Sequence, residues 1–172
     1  MKFCCDAESE KQMDQYWKEQ EKNQKADIEE NDDNIENEKE DIIPYKFKYL
    51  LTKSEWSFYK KLKEVTDKRN LHILAKVRLA DLVEVEKWVS EGGFKKYFSK
   101  IKSKHVDFVL CNPDNLAVKA IIELEDGTHH NSPERARRDD FVDKVLKKCG
   151  YPVIYTYGGA NLDEIFDKLN IK

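Results

Sequence analysis

Residues 106–130 read VDFVLCNPDNLAVKAIIELEDGTHH, and this stretch sets the architecture expected for the whole chain. Residues 106–110 and 117–124 are rich in β-branched and other apolar residues. Asn112-Pro113-Asp114-Asn115 between them is turn chemistry, so the pair reads as a β-hairpin. With the turn centred near Asp114 and Asn115, Asp107 lies roughly opposite Glu123. Side chains alternate along a strand, which puts Asp107, Glu123 and Glu125 on one face. Three carboxylates so close repel one another unless a positive charge sits among them, and a divalent cation is the usual solution.

Working outward, the residues after the hairpin spell a helix over 133–149. Ser132 can cap it, Pro133 suits its first position, Glu134 complements its dipole and Gly150 closes it. Residues 152–156 are a short apolar strand, Gly158-Gly159 a turn, and residues 162–169 a final amphipathic helix. Before the hairpin, Thr52-Lys53-Ser54-Glu55 matches a capping box, and Trp56, Phe58, Tyr59, Leu62 and Val65 make a wide helical stripe over residues 53–68. Leu71, Ile73, Ala75 and Val77 alternate as in a strand. In residues 83–104, apolar residues recur at helical spacing but Gly92-Gly93 intervenes, so two short helices or a helix and a loop are expected. The resulting order is helix, strand, helical insert, two strands, helix, strand, helix. That order describes an α/β fold, a mixed sheet flanked by helices on both sides.

Charge divides the chain of 172 residues. Residues 1–40 hold fourteen Asp and Glu against six Lys, a net of −8, while the whole chain carries −3. The remainder is therefore basic, at +5. Residues 1–41 read as an acidic, disordered or loosely helical tail, because so polar a segment buries too little surface to offset its ordering entropy. Met13, Tyr16 and Trp17 are its exception and could serve a protein partner as one amphipathic turn. Residues 42–172 are expected to form one domain. There is no apolar run long enough to span a membrane and no secretory signal, so a cytoplasmic protein without membrane attachment is expected. Four cysteines without paired spacing argue against zinc or a disulfide framework, and Cys111 and Cys149 read as small buried groups.

The segments KIKSKHVDFVLCNP, AIIELEDGTHHNSPERARRDDFVDKVLKKCGYPVIY, LLTKSEWSFYKKL and KVRLADL resemble the domain-of-unknown-function 2726 family, over roughly residues 50–155. That family is assigned to the restriction-endonuclease-like PD-(D/E)XK superfamily, and the pattern is also similar to its very-short-patch-repair-like branch. The resemblance implies a restriction-endonuclease-like core and a Mg²⁺- or Mn²⁺-dependent nuclease. It implies that Asp107 and Glu123 are the metal-binding carboxylates, that Glu55 on the first helix can complete the metal shell, and that His129 takes the place of the branch's histidine. One departure stands out. The superfamily's usual lysine position, two residues beyond Glu123, is Glu125 here.

Phosphodiester hydrolysis needs an activated water, charge stabilisation on the phosphoryl oxygens and a proton for the leaving oxygen. Asp107, Glu123 and Glu125 suit a hard divalent ion, and His129 can move a proton. Lys104 and Lys119 both stand as replacements for the motif lysine. Five lysines fall in residues 95–104 among Tyr97 and Phe98, a pattern suited either to nucleic acid or to a solvated face. Arg135, Arg137 and Arg138 suit DNA phosphates or, equally, an internal network with carboxylates such as Asp139. A nucleic-acid-binding module that has lost catalysis, or an interaction adaptor working through the tail, are the alternatives to a nuclease.

Overall fold

A computed structural model describes residues 7–26, 44–125, 133–168 and 170–171, with the side chains of the helix that begins at Pro133 described from Asp140 onward. Two compact units are present, Met1–Lys53 and Ser54–Lys172. In the first, Ala7–Ala26 is a helix, α1. Met13 and Trp17, one turn apart, are buried. Tyr16 meets Tyr49 edge to face at 4.7 Å, and Phe47 meets the same ring at 5.1 Å. Such edge-to-face contacts between aromatic rings are favourable beyond the area they bury.

The remaining elements run α2 (Lys53–Lys68), β1 (His72–Arg78), α3 (Leu79–Leu82), α4 (Glu91–Ile101), β2 (His105–Cys111), β3 (Val118–Leu124), α5 (Pro133–Lys148), β4 (Val153–Thr156) and α6 (Leu162–Lys168). This is the order the sequence spacing predicts. The four strands form one mixed sheet in the order β1-β2-β3-β4. β1 and β3 lie antiparallel to β2, and β4 runs parallel to β3. The hairpin between β2 and β3 is the expected one, closed by Asn112 N–H to Ala117 O at 2.9 Å and pinned by Asn112 Oδ1 accepting from Asp114 N–H.

Because both sheet faces are covered, β2 is buried almost without alternation. Phe108 turns to α2, its ring 5.7 Å from Phe58. Its neighbour Val109 joins Leu79, Ile101, Val106, Cys111, Ile121 and Leu146, with Phe141, Val142 and Val145 of α5 packed against them. Burying a Val, Leu or Ile of that cluster fully is worth roughly 2 kcal/mol of apolar transfer, while Phe141, Val142 and Val145 are only partly buried. α5 ends as its sequence predicts: Gly150 takes φ 79°, its N–H bonds Lys147 O, and Tyr151 N–H bonds Leu146 O.

Two expectations need correction. Of the two arrangements expected for residues 83–104, a helix and a loop is the one found, but Gly92 and Gly93 lie in the first turn of α4 rather than breaking a helix, and Ser90 caps that turn by accepting from Gly93 N–H at 3.3 Å. A Cβ on Gly93 would sit 2.6 Å from Val89 Cγ1, so close packing at the cap, rather than a break, explains that glycine. Cys149 is exposed rather than buried, one residue past the end of α5, while Cys111 is buried as expected. No helix among the described residues is long and apolar enough to cross a membrane.

Candidate functional site

The site begins with a break in regular pairing between β1 and β2. Ala75 pairs with Phe108 and Val77 with Val106, leaving Lys76 and Asp107 between them outside the ladder. Lys76 takes φ 55°, a left-handed conformation that costs an L-residue roughly 1–2 kcal/mol. It resets the alternation of the strand. Leu74 and Val77, three residues apart, both pack against the α5-side cluster, and Val106 and Val109 of β2 do the same. Lys76 and Asp107 are thereby released toward Glu55 in the first turn of α2.

Lys76 Nζ donates to Glu55 Oε1 at 2.5 Å and to Asp107 Oδ1 at 2.8 Å. All three side chains are largely buried, at 18% exposure or less. Burial acts to lower the affinity of Lys76 for its proton, but hydrogen bonds to Asp107 and Glu55 outweigh it and raise its pKa above the ordinary 10.5. Lys76 is therefore a fixed cation at neutral pH. The positive charge that the carboxylates demand is supplied, in this structure, by an ammonium group from β1.

Asp107 is held at its other oxygen as well. Regular β2–β3 pairing ends at Phe108–Ile122, and beyond it Leu124 N–H donates to Asp107 Oδ2 at 3.0 Å. The carboxylate replaces a ladder carbonyl where the two strands part. Glu123, one step past Ile122, pairs through its backbone with Tyr155 of β4 and is half-buried. Glu125 is exposed, and its N–H donates to Thr156 O at 2.7 Å. Lys76, Asp107, Glu123 and Thr156 thus gather at one end of the sheet, outside the carboxyl ends of the parallel strands β3 and β4, where open α/β sheets commonly bind ligands. Thr156 Oγ1 is buried there without a hydrogen-bond partner among the described residues.

The structure joins Glu55 to Asp107 through Lys76 and sets Glu123 beside them in the strand order. In the β2–β3 register Asp107 is one step past Phe108 and Glu123 one step past Ile122, while the side chain of Asp107 is bonded to Lys76. Lys119 is exposed on β3, and Lys104 lies with its Nζ 5.8 Å from the Phe141 ring centre. His129 lies outside the described residues, as do the side chains of Arg135, Arg137 and Arg138. Lys76 is the residue that sequence reasoning missed. Its signal was present: a lone lysine within HILAKVR, a strand otherwise apolar in its interior, requires a carboxylate partner.

No group of three or more His, Cys, Asp or Glu is arranged to hold a metal among the described residues. One or two carboxylates with water and substrate phosphates are a common Mg²⁺ environment, and Asp107 and Glu123 both lie at this end of the sheet, though Asp107 already accepts from Lys76 and from Leu124 N–H.

A mixed four-stranded sheet between helices, carrying a buried carboxylate–ammonium–carboxylate cluster at one end, defines an α/β domain with a polar site set into an apolar frame. Residues 47–165 match the family described as a protein of unknown function (DUF2726), and the chain belongs to that family. Comparisons with curated proteins and with solved structures give no match.

Proposed function

We propose that the protein is a metal-dependent hydrolase of phosphodiester bonds in DNA or a related nucleic acid, a cytosolic nuclease on a restriction-endonuclease-like core. The observation that carries this reading is the Lys76 ammonium held by Asp107 and Glu55 at the end of the sheet where Glu123 also lies. In that position it supplies the basic group that Glu125 cannot. Two of its three N–H groups are engaged by the carboxylates, and the third suits a phosphoryl oxygen. Because its pKa is raised, Lys76 acts as a charge stabiliser and hydrogen-bond donor rather than as a base. Asp107 and Glu123 would hold Mg²⁺, which when bound supplies an activated water and neutralises phosphoryl charge. Glu55 orients Lys76. Within the same reading Glu125 adds a further carboxylate, His129 moves a proton, and Lys104, Arg135, Arg137 and Arg138 meet backbone phosphates.

A second reading, a nucleic-acid-binding module without catalysis, is favoured by one observation: both oxygens of Asp107 are already engaged, by Lys76 and by Leu124 N–H. Cleavage of single- and double-stranded DNA with Mg²⁺ or Mn²⁺ decides between them, with thermal stability followed in parallel. The nuclease reading expects metal-dependent cleavage, its loss in Asp107→Asn, Glu123→Gln and Lys76→Met, and stabilisation by the metal that is lost in the two carboxylate variants. Salt-sensitive binding with neither cleavage nor metal stabilisation would establish the second reading instead.

A further inference from the structure

α4 exposes its apolar side. Phe94, Tyr97, Phe98 and Ile101 follow one another at helical spacing on one face, yet only Ile101 reaches the core, at 5% exposure. Phe94, Tyr97 and Phe98 are 46%, 47% and 41% exposed. Phe94 and Phe98 lie almost parallel, at 7° and with ring centres 5.7 Å apart, so they form a preset pair of flat surfaces one helical turn apart. Lys100 stands over Tyr97 with its Nζ 5.6 Å from the ring centre. Lys95, Lys96, Lys100, Lys102 and Lys104 lie on this helix or just after it, against one acidic residue, Glu91 in its first turn, whose Oε1 is 3.6 Å from Lys95 Nζ in an exposed pair.

Three neighbouring rings left nearly half exposed on one helix face form an apolar patch suited to docking, and the charge around them selects the occupant. A polyanion with flat apolar faces satisfies both features. In a duplex the base faces are consumed by stacking on one another, whereas a single strand offers them to aromatic side chains while its phosphates meet lysines. The face also leads to the site. The Lys104 carbonyl accepts from Leu79 N–H at 2.8 Å, which ties the end of α4 to the end of β1. Lys76 lies three residues before Leu79, and Asp107 three residues after Lys104.

We infer that the α4 face binds single-stranded nucleic acid, with Phe94, Tyr97 and Phe98 stacking on bases and Lys95 and Lys100 contacting phosphates. The inference builds on the proposed nuclease reading by naming its substrate class. It concerns binding, so it can stand or fall separately from catalysis.

The test uses the full chain in EDTA, which blocks metal-dependent cleavage, with a fluorescent oligothymidylate and a blunt duplex of equal length as probes. Binding is followed by anisotropy across a salt series. The intact protein should prefer the single strand. Phe94→Ala and Phe98→Ala should each weaken single-strand binding roughly tenfold and leave duplex binding almost unchanged. Lys95→Gln with Lys100→Gln should flatten the salt dependence of single-strand binding, by about 0.7 in the log–log slope for each phosphate contact removed. The rings are exposed, so circular dichroism should show every variant folded. Undiminished single-strand affinity in a Phe94→Ala/Tyr97→Ala/Phe98→Ala variant overturns the inference, as does an equal loss on both probes. Self-association that vanishes in this triple variant, with no oligonucleotide bound by the intact chain, also overturns it and makes the face a contact between copies. Cleavage with Mg²⁺ is measured separately: ring-dependent binding without cleavage removes the nuclease reading and retains the inference, whereas cleavage without ring dependence does the reverse.

Discussion

Lys76 donates a 2.8 Å hydrogen bond to Asp107 at the one step between β1 and β2 where neither residue has a ladder partner. The left-handed backbone of Lys76 and the break in pairing are one feature. A regular strand would leave the lysine in the alternation of its neighbours, whereas φ 55° releases it toward Glu55.

Removing the ammonium should leave two largely buried carboxylates facing each other. Lys76→Met is expected to lower stability by about 2 kcal/mol, less than for a fully buried pair because each partner retains some solvent contact. Its pH dependence has a definite sign. The folded-state pKa of Lys76 lies above the ordinary 10.5, so the contribution of its charge is fully present below 10.5 and is lost as pH rises through the folded value. Urea unfolding across pH should therefore show a constant gap between native protein and variant from neutrality to the ordinary lysine range, closing above it. A gap that widened in alkali would contradict the ion pair.

The backbone at Lys76 can be separated from its charge. Lys76→Gly and Lys76→Ala both remove the ammonium, but only alanine must hold a Cβ at φ 55°. The glycine variant should be the more stable of the two by about 1 kcal/mol, against the usual order within a strand. Equal stabilities would show that the left-handed turn relaxes when the side chain is shortened.

Adjacent glycines in α4 should respond oppositely. Nothing lies within 4 Å of a Cβ added to Gly92, so Gly92→Ala should stabilise by about 0.5 kcal/mol through helix propensity. At Gly93 the added carbon would be 2.6 Å from Val89 Cγ1 and 3.3 Å from Ser90 Oγ. Gly93→Ala should cost about 1 kcal/mol by displacing Val89 and loosening the Ser90 cap. Chemical denaturation of the two variants side by side is sufficient.

Thr156 Oγ1 is buried without a hydrogen-bond partner among the described residues. Thr156→Val has nearly the same shape and removes the unsatisfied hydroxyl, so it should raise stability by about 1 kcal/mol in thermal or urea unfolding. A loss instead would mean that the hydroxyl is satisfied in solution. If the gain is accompanied by altered nucleic-acid binding or cleavage, the hydroxyl belongs to the ligand-binding end of the sheet.

Much of the scaffold was legible because its causes are local. The hairpin follows from apolar runs around Asn112-Pro113-Asp114-Asn115, α2 from the stripe carried by Phe58, Leu62 and Val65, and the end of α5 from Gly150 in its left-handed conformation. Asp107 and Glu123 stood out for a related reason: a carboxylate within an apolar strand has to be compensated. What compensates Asp107 was decided by tertiary structure. Lys76 finds its partners 21 and 31 residues away, through a backbone conformation that no lysine prefers on its own. The close approach of Val89 that excludes a side chain at Gly93 likewise appears only once the α4 cap is folded. Periodicity reports which residues can share a face while alternation holds. Where the β1–β2 ladder breaks, the arrangement of Glu55, Lys76 and Asp107 is set instead by burial, which makes each unpaired charge costly enough to bring the three together.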